Sequence, residues 1–147
     1  MTAVVFLTGC SRDTETLHCT FTTEGDGITI DATEIIEIVD GKMRSRTMTM
    51  ETIATDEMTE YLEAIGASID SEDGFGALNG MSGVEYISEM RDGTHFLEFR
   101  IDYTKVDSEE IENQLSPAVS AVFYQWDQII SARRVRERLE NEGYICR

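Results

Sequence analysis

Two histidines and three cysteines are the residues of this chain whose chemistry could most readily support catalysis or metal binding. Nucleophilic catalysis requires a nucleophile within reach of a base, and His18 and His95 are the two imidazoles available. Both lie on predicted strands at positions that alternate with apolar residues, so we predict surface histidines rather than general bases. The chain has no Cys-x-x-Cys motif and no cysteine and histidine at ligand spacing, so zinc binding and thiol redox catalysis are not predicted. We expect no catalytic residue, metal or cofactor, and a hydrolase is the less favoured alternative.

An acidic, glycine-rich segment at residues 70–76, with the sequence Asp-Ser-Glu-Asp-Gly-Phe-Gly, suggests a calcium-binding loop. An EF-hand loop requires glycine at its sixth position for a sharp turn, and Phe75 occupies that position. We therefore predict an exposed, flexible loop that binds no metal.

The composition indicates one acidic domain. A chain of 147 residues with a single proline fits one domain with one core, and no apolar run approaches the ~18 residues of a membrane-spanning helix. Its 12 basic and 29 acidic residues give a net charge of −17, which disfavours contact with nucleic acid. A solvated acidic surface is the simpler interpretation of this charge, and an acidic docking face is the alternative.

The N-terminal segment Val4-Val5-Phe6-Leu7-Thr8-Gly9-Cys10 is a short apolar run that ends in small residues and a cysteine. Its last four residues resemble the lipobox of bacterial lipoproteins, in which the cysteine is acylated and a signal peptidase cuts before it. The resemblance implies a partial signal sequence over residues 1–9, a mature domain over residues 10–147 and a lipid anchor on Cys10. No Lys or Arg precedes the apolar run, so the export signal is incomplete. A first core strand with a buried cysteine is the alternative.

Lipidation of Cys10 would leave Cys19 and Cys146 as an even pair in an oxidising compartment. A disulfide between them would join the first strand to the C-terminus, and closing so long a loop could stabilise the fold by about 4 kcal/mol or more. Two unrelated buried thiols are the alternative.

Alternation of apolar and polar residues predicts strands over residues 16–23, 28–38, 42–53, 84–90 and 94–105. Asp40-Gly41 and Asp92-Gly93 are hairpin signals, because a type I′ turn needs positive φ at both central residues. A bulge is expected near Thr33 and Glu34 in the second strand.

Helical spacing of apolar residues predicts helices over residues 56–69, 108–115, 117–126 and 131–143, with a strand over part of 121–130 as the alternative. Gly66 weakens the first helix and could end it there. Ser131 is the expected N-cap of the last helix. That helix carries a basic cluster, for which a salt-bridged solvent face is the simpler interpretation and contact with anionic lipid headgroups the alternative. The cluster consists of Arg133, Arg134, Arg136 and Arg138.

The order of these elements and two local motifs resemble the YehR-like small bacterial lipoproteins. The motifs are Ile101-Asp102-Tyr103-Thr104-Lys105 after the second hairpin and Leu139-Glu140-Asn141-Glu142-Gly143-Tyr144 at the end of the last helix. The resemblance covers most of residues 10–145, and residues 116–130 depart from the family pattern. It implies an α+β fold, a two-layer sandwich in which an antiparallel sheet of about five strands, built from hairpins, has helices packed on one face. The family has no established activity, so the resemblance implies no catalytic residue.

Together these observations predict a monomeric cell-envelope lipoprotein, held by its N-terminal lipid on the extracytoplasmic face of the cell membrane. We expect a binding or interaction module for an unidentified protein or small molecule. The alternative is a carrier of a small apolar ligand or lipid in a groove between sheet and helices. The candidate lining of that groove, for which a plain core is the simpler interpretation, is Met48, Met50, Met58, Tyr61, Phe123, Tyr124 and Trp126.

Overall fold

A computed structural model of the chain describes residues 13–120, 123 and 129–147. These residues form a six-stranded antiparallel sheet with helices packed on one face. This is the α+β architecture that the sequence predicts, with six strands instead of about five. The predicted lipidation site Cys10 and two candidate groove residues, Tyr124 and Trp126, lie outside the described residues. No helix within the described ranges has the length and apolar character needed to cross a bilayer.

The strands are β1 Thr14–Gly25, β2 Ile28–Val39, β3 Lys42–Ala54, β4 Val84–Arg91, β5 Thr94–Asp102 and β6 Ile145–Cys146. Their order across the sheet is β4-β5-β3-β2-β1-β6. The meander of β1, β2 and β3 therefore pairs with the hairpin of β4 and β5, through the contact of β3 with β5. Asp40 and Asp92 have φ values of 51° and 48°, and each precedes a glycine that also has positive φ. Both predicted Asp-Gly hairpins are therefore confirmed.

The helices are α1 Thr59–Ile69, α2 Ser108–Gln114, α3 Pro117–Ser120 and α4 Ala132–Asn141, with short 3-10 turns at Asp56–Met58 and Phe75–Leu78. Ser131 caps α4 as predicted, because its hydroxyl oxygen accepts a hydrogen bond from the backbone N–H of Arg134 at 3.3 Å. The basic face of α4 carries ion pairs with acids one turn further on, such as Arg133 with Glu137 at 3.6 Å.

The hydrophobic core lies between the helices and one face of the sheet, which we call the inner face. Alternate residues of the central strands point to this face, and the packed side of α4 covers β1 and β6. The most deeply buried side chains of this core include Leu17, Cys19, Ile36, Ile38, Leu97, Phe99, Ile101, Val135 and Leu139.

The predicted bulge near Thr33 and Glu34 is wrong. At this point β2 keeps a regular antiparallel register with β3, and Glu34 pairs with Met48 across the two strands. The irregularity lies further along, between Glu37 and Ile38. Because β2 stays regular, the Glu34 side chain points to the inner face and is 2% exposed.

The surface position predicted for His95 is also wrong, since the residue is 2% exposed. His95 has the same strand parity as Leu97 and Phe99, so β5 directs all three side chains to the inner face. Helix α1 passes over the imidazole at Gly66, where a Cβ atom would lie only 3.2 Å from the His95 Cδ2. Gly66 therefore serves close packing inside α1, which continues to Ile69.

The segment at 70–76 divides into an exposed part and a packed part. Residues 71–73 are exposed, as predicted. Phe75 instead turns inward, and its ring centroid lies 6.1 Å from that of Phe99 in the core. At the start of the segment the Tyr86 hydroxyl donates a hydrogen bond to the Asp70 carboxylate at 2.6 Å.

The predicted disulfide between Cys19 and Cys146 is present. The two residues are directly opposite in the pairing of β1 with β6, with their Cα atoms 4.0 Å apart. The neighbouring pair, His18 and Arg147, exchanges both backbone hydrogen bonds, at 3.2 and 2.8 Å. Gly143, with φ of 98°, ends α4 and lets the chain turn back toward the sheet. The disulfide thus fastens the C-terminus to β1.

Candidate functional site

An open cavity of about 460 Å³, which we call the tip cleft, lies between the β1–β2 turn and the beginning of α1. Near the cleft, the backbone N–H of Thr55 donates a hydrogen bond to the Gly27 carbonyl at 2.9 Å, which holds the β1–β2 turn against the segment that leads into α1. The residues that line the cleft are Thr23, Glu24, Gly25, Asp26, Ile28, Ile30, Met58 and Tyr61.

The apolar floor of the tip cleft follows from the strand pattern of β2. Ile28 and Ile30 have the inner-face parity of the core residues Ile36 and Ile38, but they are only half-buried. Met58 is also half-buried, and the Tyr61 side chain at the rim is 55% exposed. Apolar side chains that converge in a cavity and remain accessible are typical of small-molecule sites.

The structure does not bring the described members of the candidate groove into one site. Met58 and Tyr61 lie together in the tip cleft. Met48 and Met50 are half-buried on the inner face of β3, where they pack against the core. Phe123 is 2% exposed and borders a different cavity, of about 370 Å³, which α2 and α3 also line.

A buried ion pair, Glu34 with Arg46, lies on the inner face between β2 and β3. The Arg46 Nε donates to Glu34 Oε2 at 2.9 Å and its Nη2 donates to Oε1 at 2.8 Å, which is the bidentate geometry that carboxylates favour. The Arg46 side chain is 12% exposed, and its guanidinium carbon lies 5.7 Å from the ring centroid of Phe99. The pair is therefore part of the core rather than of the surface.

Two tyrosines complete this polar cluster. Burial opposes the charge of Arg46, but the Glu34 carboxylate, with the help of Tyr103, raises the pKa of the guanidinium above its ordinary value. Burial also raises the pKa of the Tyr103 hydroxyl, against the opposing influence of Arg46. Burial and the nearby Glu34 carboxylate raise the pKa of Tyr144 to about 12. The raised pKa values keep Arg46 charged and both tyrosines neutral at neutral pH, as expected of a structural cluster.

Ser88 and His95 form the one pairing of a hydroxyl with an imidazole among the side-chain hydrogen bonds of the described residues, at 2.8 Å between Oγ and Nε2. No carboxylate within these residues hydrogen-bonds to His95, and Gly66 of α1 packs directly over the ring. A substrate could reach this imidazole only if α1 moved. Within residues 13–120, 123 and 129–147, no three His, Cys, Asp or Glu side chains converge to hold a metal ion.

Strand parity alone would have identified the buried polar residues. Arg46 shares its parity with Met48 and Met50, and Glu34 continues the series of Ile36 and Ile38. The sequence signal for the tip cleft is weaker, because its walls come from segments about 30 residues apart whose meeting depends on how α1 packs on the sheet.

Comparison with known proteins shows similarity in fold. The NMR structure of a protein from Streptococcus pneumoniae TIGR4 has a TM-score of 0.58 at 12% identity, over 100% of this chain and 93% of that protein. The NMR structure of the Escherichia coli YehR protein has a TM-score of 0.56 at 13% identity, over 88% of each chain. No family model and no curated protein sequence matches this chain. These two structures support the fold that the resemblance to the YehR-like proteins predicts.

Proposed function

We propose that this protein is a lipid-anchored binding module of the cell envelope, with no catalytic activity, whose ligand is a small molecule with an apolar group that enters the tip cleft. The observation that carries the proposal is the set of accessible apolar side chains around the cleft, namely Ile28, Ile30, Met58 and Tyr61. The cleft volume of about 460 Å³ falls within the roughly 300–1,000 Å³ of known small-molecule sites.

The proposed anchor places the tip cleft away from the membrane. Two residues separate Cys10 from Asp13, whose backbone N–H donates to the Asp40 carboxylate at 3.1 Å beside the β2–β3 turn. The cleft lies at the opposite end of β1, at a distance of roughly 36 Å for a strand of this length. An acyl chain on Cys10 would therefore hold the β2–β3 turn near the lipid and present the cleft to the surrounding medium.

The Cys19–Cys146 disulfide supports a location outside the cytoplasm. Stable disulfides form and persist in oxidising compartments, whereas cytosolic thiols are kept reduced. This agrees with the lipobox-like segment, which by itself would be consistent with either export or a buried N-terminal strand.

The tip cleft can be tested with n-octanol as an uncharged apolar probe. We expect octanol to shift the backbone amide NMR signals of residues 23–30 and 55–61. Met58→Ala should weaken binding by about five- to ten-fold, since it removes apolar contact area worth ~1 kcal/mol or more. Met90→Ala is the matched control, because Met90 is an exposed methionine on the edge strand β4. Octanol that shifts none of the cleft signals would refute the site.

The anchor can be tested by expressing the protein from its native gene in a bacterial host. We expect the protein in the membrane fraction, and we expect mass spectrometry to find a diacylglyceryl group on an N-terminal Cys10. Cys10→Ala should be recovered without the lipid and without cleavage at that position. A wild-type chain that stays in the soluble fraction with residues 1–9 intact would contradict the anchor.

A further inference from the structure

We infer that the tip cleft selects small amphipathic amines, molecules that join one apolar group to a cationic nitrogen. This inference rests on the proposed function and names the class of ligand. It follows from the charge of the segments that build the cleft, from the absence of ion pairs to its rim carboxylates among the described residues, and from the match between an apolar floor and an anionic rim.

The walls of the tip cleft come from two stretches that contain no basic residue. Residues 13–41 hold eight Asp and Glu and no Lys or Arg, and residues 47–90 hold ten Asp and Glu and no Lys or Arg. The cleft is lined by six residues between positions 23 and 30 of the first stretch and by Met58 and Tyr61 of the second. A cavity with walls of one sign of charge concentrates ligands of the opposite sign.

Carboxylates at the rim of the cleft form no ion pair with a basic side chain of the described residues. Glu24 and Asp26 line the cleft from the β1–β2 turn, and Glu57 and Glu60 flank Met58 and Tyr61 in sequence. All four acids are exposed, and none of them takes part in an ion pair of the described residues. A ligand ammonium at the rim would provide the missing countercharge.

The apolar floor and the anionic rim of the cleft contribute differently to ligand binding. Ile28, Ile30 and Met58 offer apolar contact for the hydrocarbon part of a ligand, which supplies most of the affinity. The exposed ring of Tyr61 and the carboxylates of Glu24 and Asp26 face the cationic nitrogen, through cation–π and charge interactions. Exposed charge pairs contribute little energy each, so the rim acts mainly on selectivity between cationic, neutral and anionic ligands.

Three probes with the same chain and different headgroups separate these contributions: n-octylammonium, n-octanol and n-octanoate. Each is titrated into the isotope-labelled protein at neutral pH and low salt, with the amide signals of residues 23–30 and 55–61 as the readout. We expect octylammonium to bind most tightly and octanoate most weakly. High salt should reduce the advantage of octylammonium and leave octanol binding nearly unchanged, because salt screens exposed charges.

A pair of matched variants locates the effect. Glu24→Gln/Asp26→Asn removes two rim carboxylates, and asparagine tolerates the positive φ of 51° at position 26. We expect this variant to bind octylammonium roughly three- to ten-fold more weakly and octanol as the wild type does. Glu72→Gln/Asp73→Asn changes the net charge equally in an exposed loop away from the cleft lining and should leave all three affinities unchanged.

The outcomes distinguish this inference from the proposed function. If the cleft signals move equally with octanol and octylammonium, the charge selectivity is refuted while apolar binding in the cleft stands. If both double variants weaken octylammonium equally, the effect belongs to the net charge of the molecule and the assignment to the rim is overturned. If none of the three probes moves the cleft signals, the cleft as a binding site is refuted and the inference fails with it.

Discussion

Glu34 and Arg46 place a complete pair of charges inside the core of this protein. Burying a charge is costly, and the attraction between the partners offsets this cost only when geometry and hydrogen bonding are good. The two short hydrogen bonds of this pair and the flanking Tyr103 and Tyr144 meet that condition. The pair also joins β2 to β3 across the centre of the sheet, so its loss should affect the whole fold.

Removal of one partner should therefore be much more harmful than removal of both. Arg46→Met leaves the Glu34 carboxylate buried without its guanidinium partner, and we expect the free energy of unfolding to fall by about 3–5 kcal/mol. Glu34→Leu/Arg46→Met should recover most of that loss, since apolar groups of similar volume can replace a buried ion pair. Urea unfolding followed by circular dichroism measures both variants.

The exposed pair on α4 is the control for this comparison. The Arg133 Nε lies 3.6 Å from Glu137 Oε1, and the Arg133 side chain is 85% exposed. Arg133→Met should therefore lower the free energy of unfolding by less than about 1 kcal/mol. An Arg46→Met variant as stable as Arg133→Met would contradict the structural role given to the buried pair. If Glu34→Leu/Arg46→Met is no more stable than Arg46→Met, the ion pair stabilises the fold more than apolar side chains at the same positions do.

At the scale of single elements, the strands follow closely from local sequence. The predicted strands over 16–23, 28–38 and 42–53 match β1, β2 and β3 within a few residues at each end. The Asp-Gly pairs identified both hairpins because the residue types themselves select a turn with positive φ. Periodicity and turn chemistry are properties of neighbouring residues, so they can be read without knowledge of the rest of the chain.

The predictions for two polar residues on strands, His95 and Glu34, were wrong because residues of another element surround each side chain. His95 and Glu34 have the parity of core residues, but their polarity suggested the surface or a bulge. The helix turn at Gly66 covers the imidazole, and Arg46, twelve residues further along the chain, neutralises the carboxylate. The local patterns of β5 and β2 reveal neither Gly66 nor Arg46. The two predictions therefore followed the polarity of His95 and Glu34 instead of their strand parity.

At the scale of the whole molecule, the disulfide closes a loop with a sequence separation of 127 residues between its two cysteines. A cross-link over so long a loop mainly restricts the unfolded chain. The C-terminal strand is only two residues long, and among the described strands it pairs with β1 alone.

Loss of this cross-link should destabilise the fold without erasing it. We expect Cys19→Ala/Cys146→Ala to lower the free energy of unfolding by up to about 5 kcal/mol and to release residues 145–147 from β1, while both Asp-Gly hairpins stay paired. Thermal unfolding and amide NMR signals measure the two effects.

Reductant provides the control for the disulfide prediction. Reductant should lower the melting temperature of the oxidised wild type toward that of the variant and should leave the variant unchanged. Peptide mapping should show that the thiols of the wild type are free under reducing conditions. If its melting temperature is nevertheless the same with and without reductant, the stabilising role of the bond is contradicted.

The sequence by itself determined the strands of the meander, both hairpins and the cap of α4, because residue periodicity and turn chemistry are local properties. The α+β class was implied by the family resemblance, and the pairing of Cys19 with Cys146 was predicted beside the alternative of two unrelated thiols. Only the tertiary structure decided that Glu34 meets Arg46, that Gly66 covers His95, and that the β1–β2 turn and α1 enclose the tip cleft. Parity places a side chain on one face of its strand, but the packing of distant segments decides what that face meets.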